Sequence, residues 1–286
     1  MTLEQQAATM ELTIVDVFAE QPLAGNQLAV VRAAHALSTE QMQDIAREMN
    51  FSETTFVLEE TAERARVRIF TPDSELPFAG HPTLGTAWVL AGGQGRFTLD
   101  LDAGAVPVEF VDGMGWMTPP AVLLKDAFDS AAAAELIGLG VADLDPQYPP
   151  RLAEVGPSFV LIGLRGLQEL GAARLNVDLH QQHVSEGLGV QCVFLFTSEP
   201  HPDTGSDFAS RMFFYAGSAR EDPATGSANT AFAAYLQDLN DEPRTVQVDQ
   251  GVEMKRPSRL YLKIAQTNQV GGKVQLVLRG RLELPF

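Results

Sequence analysis

Short runs of apolar residues, broken by Gly, Pro and Asn, recur along the whole chain. Residues 11–18 (ELTIVDVF) and 27–32 (QLAVVR) have the β-branched, period-two character of two paired strands, and residues 22–26 (PLAGN) supply the turn between them. A helix opens at Ser38, whose hydroxyl can cap free backbone amides while Gln41 reaches back three residues. Met42, Ile45, Ala46 and Met49 then fall on one face at helical spacing. Further strands are expected at 55–59, 65–71 and 190–196. Strands interspersed with single helices predict a mixed α/β or α+β fold.

The pattern also repeats. Pro82-Thr-Leu-Gly-Thr-Ala87 returns as Pro223-Ala-Thr-Gly-Ser-Ala228, an offset of 223 − 82 = 141. Arg68-Ile-Phe70 returns as Arg211-Met-Phe213 at 143, and Phe56-Val-Leu58 resembles Phe194-Leu-Phe196 at 138. Three matches in the same order at nearly one offset point to a duplicated domain. Residues 116–121 and 144–150 read as the loosest connecting stretches. Each repeated motif is expected to start a helix with its proline at the first helical position. The segments that follow, 84–90 and 228–236, are apolar on nearly every face, as enclosed central helices are. Two such helices would aim free N-terminal amides at one spot, and so form a pocket for a small anionic substrate.

Charge and composition narrow the partners. The 286 residues carry 20 Lys and Arg against 37 Asp and Glu, a net charge of −17. That balance argues against nucleic acid, whose phosphates need clustered cations, and against an anionic membrane surface. No apolar run reaches the roughly 18 residues of a membrane span, and no signal peptide is visible at the start, so a cytoplasmic protein is expected. The single cysteine, Cys192, rules out an intrachain disulfide and reads as a buried, inert thiol.

Three ionisable residues stand out. His81 precedes the first repeated motif and Asp222 the second. The plainest readings are a loop histidine and a helix-capping aspartate, but an ionisable group at the same place in both repeats favours a site. Glu53, between a helix and a strand, would ordinarily be solvated; apolar surroundings would raise its pKa and suit it to acid–base work. His180, His183, His201 and Asp203 read as surface residues. There is no Walker loop, no dinucleotide-binding glycine pattern and no nucleophile elbow.

Residues 51–57 (FSETTFV), 68–72 (RIFTP), 75–85 (ELPFAGHPTLG), 221–228 (EDPATGSA) and 250–254 (QGVEM) resemble the PhzF family of phenazine-biosynthesis-like isomerases, related in fold to diaminopimelate epimerase. The resemblance covers nearly the whole chain. It implies an α+β fold of two pseudo-symmetric domains, each a curved sheet around a central helix, with the active site in the cleft between them. The expected boundaries are 1–118 and 119–272, the C-terminal strand 273–286 completing the first domain. It further implies a homodimer and proton transfer without metal or organic cofactor on a small anionic substrate. By motif, Glu53 is the acid–base residue, His81 and Asp222 assist it, and Ser52, Gly80, Gly226 and Ser227 bind substrate. The single cysteine excludes the two-thiol chemistry of the epimerase relatives. Lys255 stands where the family has glycine, and its side chain is expected to narrow or recharge the approach to the site.

Overall fold

The computed structural model describes residues 10–187 and 190–283. Met10–Val17 and Asn26–Arg32 pair antiparallel, and Asn26–Arg32 then pairs parallel with Glu53–Glu60. Between them lies the helix Thr39–Met49, whose start is the expected reciprocal cap: Gln41 N–H donates to Ser38 Oγ, and Ser38 N–H donates to the Gln41 side chain. Glu53–Glu60 pairs antiparallel with Arg64–Phe70, which is flanked by the two-residue strand Glu75–Leu76 and, in parallel, by Gly95–Leu101. The antiparallel strands Gly104–Val111 and Met114–Met117 finish this half.

The second half repeats the pattern strand by strand. Arg151–Glu154 pairs antiparallel with Ser158–Gly163, which runs parallel to Cys192–Thr197. Cys192–Thr197 pairs antiparallel with Phe208–Tyr215, which carries Ala219–Asp222 on one side and the parallel strand Arg244–Gln250. Ser258–Ile264 and Gln269–Gly272 close the set. Two strands join the halves and their ends: Gln269–Gly272 pairs with Met114–Met117, and Val274–Leu282 pairs with Met10–Val17.

The same side chains hold equivalent places. Arg68 forks onto Glu75 with bonds of 2.6 and 2.7 Å and lies 5.0 Å from the Phe70 ring. Arg211 forks onto Glu221 at 2.8 and 2.7 Å and lies 4.6 Å from the Phe213 ring. A planar guanidinium suits both contacts at once. The fold is thus α+β and duplicated, related to the epimerase fold.

Two helices fill the cores: Gly80–Ala91 in the first half and Gly226–Leu239 in the second. Both are enclosed, as their apolar sequences require. Phe194, Phe196, Phe208 and Tyr235 pack around Phe232 of the second helix, and the Tyr235 hydroxyl donates to the Pro149 carbonyl.

The helix starts differ from expectation. Pro82 is the third residue of the first helix, and Pro223 lies outside the second, whose first residue is Gly226. Asp222 ends a strand and does not cap the helix; Thr225 holds that position. The helices therefore align as Gly80 with Gly226, an offset of 226 − 80 = 146, and not through the repeated P-x-x-G-[ST]-A. Gly85 instead packs on Val17 and Leu28, where a Cβ would lie 2.6 Å from a Val17 methyl.

His180 and His183 are buried on the helix Val177–Ser185, contrary to a surface reading. His180 Nε2 meets the Gln191 carbonyl at 3.0 Å, and the His183 ring stands edge-on to Phe128. No helix among the described residues is long and apolar enough to cross a membrane. The reading of residues 1–9 as lacking a leader lies outside the described residues, as do residues 284–286 of the expected last strand.

Candidate active site

A pocket of about 680 Å³, the size of a small-molecule site, is lined by residues of both halves. Its lining includes every residue singled out by motif: Ser52, Glu53, Gly80, His81, Asp222, Gly226 and Ser227. The two central helices meet there end to end, Gly80 against Gly226, so close that a Cβ on Gly80 would lie 2.6 Å from the Gly226 Cα. Helix geometry leaves the first amides of each helix without carbonyl partners, and the Gly80, His81, Gly226 and Ser227 N–H groups converge on one region. Such a pair of helix ends favours a carboxylate.

Glu53 begins its strand at the pocket wall. Its Oε2 is buried without a hydrogen-bond partner and faces His81 Nε2, also unpartnered, at 3.4 Å. Burial pushes the Glu53 carboxyl well above the ordinary carboxylate value, and the nearby Asp222 charge pushes it further. Burial pushes His81 down to about 3, so the ring is neutral. His81 Nδ1 lies 3.2 Å from the Asn26 amide nitrogen, whose two hydrogens go to Asp222 Oδ1 and the Ala224 carbonyl at 2.9 Å each.

Asp222 is held differently. Its Oδ1 accepts from Asn26 Nδ2 at 2.9 Å and Ser52 Oγ at 2.8 Å, and its Oδ2 accepts from Thr225 Oγ1 at 2.5 Å. Burial raises its pKa while these three donors oppose the rise. Donors stabilise an anion, and Glu53 has none. Of the two carboxyls, Glu53 is therefore the weaker acid, and the stronger base once ionised, and Asp222 the stronger acid.

The supporting roles of four residues escaped the sequence reading. Asn26 was taken as a turn residue, yet its buried amide also reaches the Ala224 carbonyl of the second half. Gln250 Nε2 donates to the Asp222 carbonyl and to Thr225 Oγ1, while its Oε1 accepts from Thr225 N–H. Gly25, at φ +71°, lets the turn pass where a Cβ would strike the Val17 carbonyl oxygen. Arg256 then locks this turn, donating to the Leu23, Ala24 and Gly25 carbonyls and to buried Asp16. Gly25-Asn26 carried a turn signal and Gln250 opened a family motif, but neither signal marked a place at the site.

Cys192 lines the pocket and is not sunk in the core. Burial, with the Asp222 and Glu53 charges, pushes its thiol up to about 12, so it stays protonated and unreactive. Its place is informative. Phe56 faces Arg68 and Leu195 faces Arg211, and three residues before each lie Glu53 and Cys192. The duplicated sheets put a carboxyl and a thiol at equivalent positions of one pocket. Lys255, expected at the approach, is exposed and is not among the lining residues; its φ of +60° is a conformation that glycine adopts freely.

Comparison with known proteins shows the family and the fold. The family described as "Phenazine biosynthesis-like protein" matches residues 15–281. The trans-2,3-dihydro-3-hydroxyanthranilate isomerase of Pseudomonas aeruginosa is 37% identical over 277 residues, covering 92% of each chain. The crystal structure of a PhzF-family phenazine biosynthesis protein from Bacillus anthracis superposes with a TM-score of 0.84 at 27% identity, covering 96% of this chain and 99% of that one. A hydroxyproline epimerase from Agrobacterium vitis shares the fold at a TM-score of 0.61 and 14% identity, covering 99% and 95%.

Proposed function

Because the chain belongs to the phenazine biosynthesis-like family of isomerases and epimerases, we propose that it moves a proton within one small molecule, with Glu53 as the general acid and base. The substrate class is a carboxylate-bearing, cyclic or unsaturated amino or hydroxy acid. The observation that carries this reading is the Glu53 carboxyl: buried, without a hydrogen-bond donor, raised in pKa, and set on a pocket wall beside two helix N-termini.

The helix ends hold the substrate carboxylate through the Gly80, Gly226 and Ser227 amides. Glu53, as carboxylate, takes a proton from one carbon; the C–H electron pair moves through the adjacent double bond. The same carboxyl then returns the proton to the far carbon, so the new C–H bond replaces the one broken and Glu53 is restored. A raised pKa makes the carboxylate a stronger base and brings it closer to the carbon acid it must match. Neutral His81, with Nε2 3.4 Å from Glu53 Oε2, packs against the carboxyl and limits its movement without charging the site. Asp222 stays charged, fixing Ser52, Asn26 and Thr225, and favours positive charge on the substrate's amino group.

Incubation in deuterated water with trans-2,3-dihydro-3-hydroxyanthranilate and a panel of cyclic amino acids tests this. Wild type should incorporate carbon-bound deuterium, read by mass spectrometry, and Glu53→Gln should be slower by a factor on the order of 100 or more. Full exchange in the variant would remove Glu53 from the role.

A further inference from the structure

Strand Ala219–Asp222 runs along the pocket wall, with Met212 opposite Asp222, Phe213 opposite Glu221 and Phe214 opposite Arg220. Side chains alternate between the faces of a strand. Glu221 turns to Arg211, whereas Asp222 and Arg220 share the face of Met212 and Phe214, all four at the pocket. One residue, Glu221, lies between Arg220 and Asp222, which places them about 7 Å apart along the wall. Arg220 is the only Lys or Arg among the residues that line the pocket, and among the described residues it makes no hydrogen bond or ion pair. The other arginines near this site are all engaged: Arg68 by Glu75, Arg211 by Glu221, Arg256 by Asp16 and Arg259 by Asp249. In a chain with 37 acidic residues to 20 basic ones, an unpaired guanidinium facing a pocket is a vacancy for an anion.

We propose that Arg220 binds a second anionic group of the substrate, making the preferred substrate a dicarboxylic acid. This rests on the proton-transfer reading above for the placement of the first carboxylate at the helix ends. Arg220 supplies a planar fork that matches a carboxylate in two hydrogen bonds. Asp73, on the wall built by the first half, repels an anion there and so fixes which way round the diacid lies. Arg220 does not touch the reacting carbons; it selects the substrate.

The test measures equilibrium binding by calorimetry, which needs no turnover. The probes are anthranilate and the four isomers that add a second carboxylate at each open position of its ring. Wild type should bind at least one diacid about tenfold tighter than anthranilate, a gap that a bidentate charged contact supplies. Arg220→Gln should erase the gap and leave anthranilate affinity unchanged, while Arg220→Lys should retain part of it. No diacid preference in wild type, or a gap that survives in Arg220→Gln, would overturn the proposal. Glu53→Gln should keep the gap. Absent deuterium exchange with the gap intact would therefore sink the proton-transfer reading alone, and a lost gap with exchange intact would sink the diacid alone.

Discussion

Gly80 and Gly226 touch through their backbones: a Cβ on Gly80 would lie 2.6 Å from the Gly226 Cα, and one on Gly226 would lie 2.8 Å from the Gly80 Cα. Neither contact is with a flexible side-chain end, so neither neighbour can yield without moving a helix. The contact sets the distance between the two sets of amides that a substrate carboxylate would meet.

Alanine at either position therefore separates the helix ends. Gly80→Ala and Gly226→Ala should each cost about 1–3 kcal/mol of stability, the usual range for overpacking. Both should reduce deuterium exchange far more than the stability loss accounts for at a temperature where the variants stay folded. Denaturant unfolding alongside exchange assays checks this; a variant of unchanged exchange would show that the helix spacing is not critical.

The titration of the site has two signs. The unfolded chain protonates His81 near 6.5 but the folded protein only near 3, so this group's stabilisation is full above about pH 6.5 and is lost as pH falls toward 3. Glu53 is the reverse: its folded pKa is raised, so its contribution is full below its ordinary 4.5 and is lost as pH rises toward the folded value. In unfolding free energy against pH, His81→Gln should flatten the acid limb by a few kcal/mol, and Glu53→Gln should flatten the decline above pH 4.5. Unchanged slopes would mean that these groups are not desolvated in solution as they are in this fold.

Much of this was legible from local chemistry. The Ser38–Gln41 cap needs residues three apart and was legible in a short window, whereas the Arg68 and Arg211 clasps showed only as a repeated Arg-x-Phe triplet without their glutamate partners. The site's carboxylates are another matter. Asp222 looked like a helix cap because aspartate before proline usually is one; its real partners, Asn26 and Ser52, lie 196 and 170 residues away. The repeated P-x-x-G-[ST]-A pointed rightly to duplication yet in the wrong register, since Gly85 serves packing against Val17 and Leu28 while Gly80 serves the helix contact. Likewise the apolar setting of Cys192 was visible, but not that its strand opens onto the pocket.

Lys255 sits at φ +60°, a conformation that costs a non-glycine residue about 1–2 kcal/mol. Part of this is offset by the greater freedom glycine has when unfolded. Lys255→Gly should therefore raise stability by about 0.5 kcal/mol and leave exchange and ligand affinity untouched, because the side chain is outside the pocket. A changed substrate preference in this variant would place Lys255 closer to the chemistry than the fold does.

Met10 pairs with Leu282 and Val17 with Val274, partners up to 282 − 10 = 272 residues apart. At a synthesis rate of about 5–20 residues per second, the first of these strands waits roughly 14–54 s on the ribosome before its partner is made. Through that interval it presents an open hydrogen-bonding edge beside apolar Val15 and Val17, which the finished protein hides. Crowded nascent chains of this protein are thus most vulnerable to wrong pairing at their oldest strand, and a chaperone that shields it has the whole length of translation in which to act.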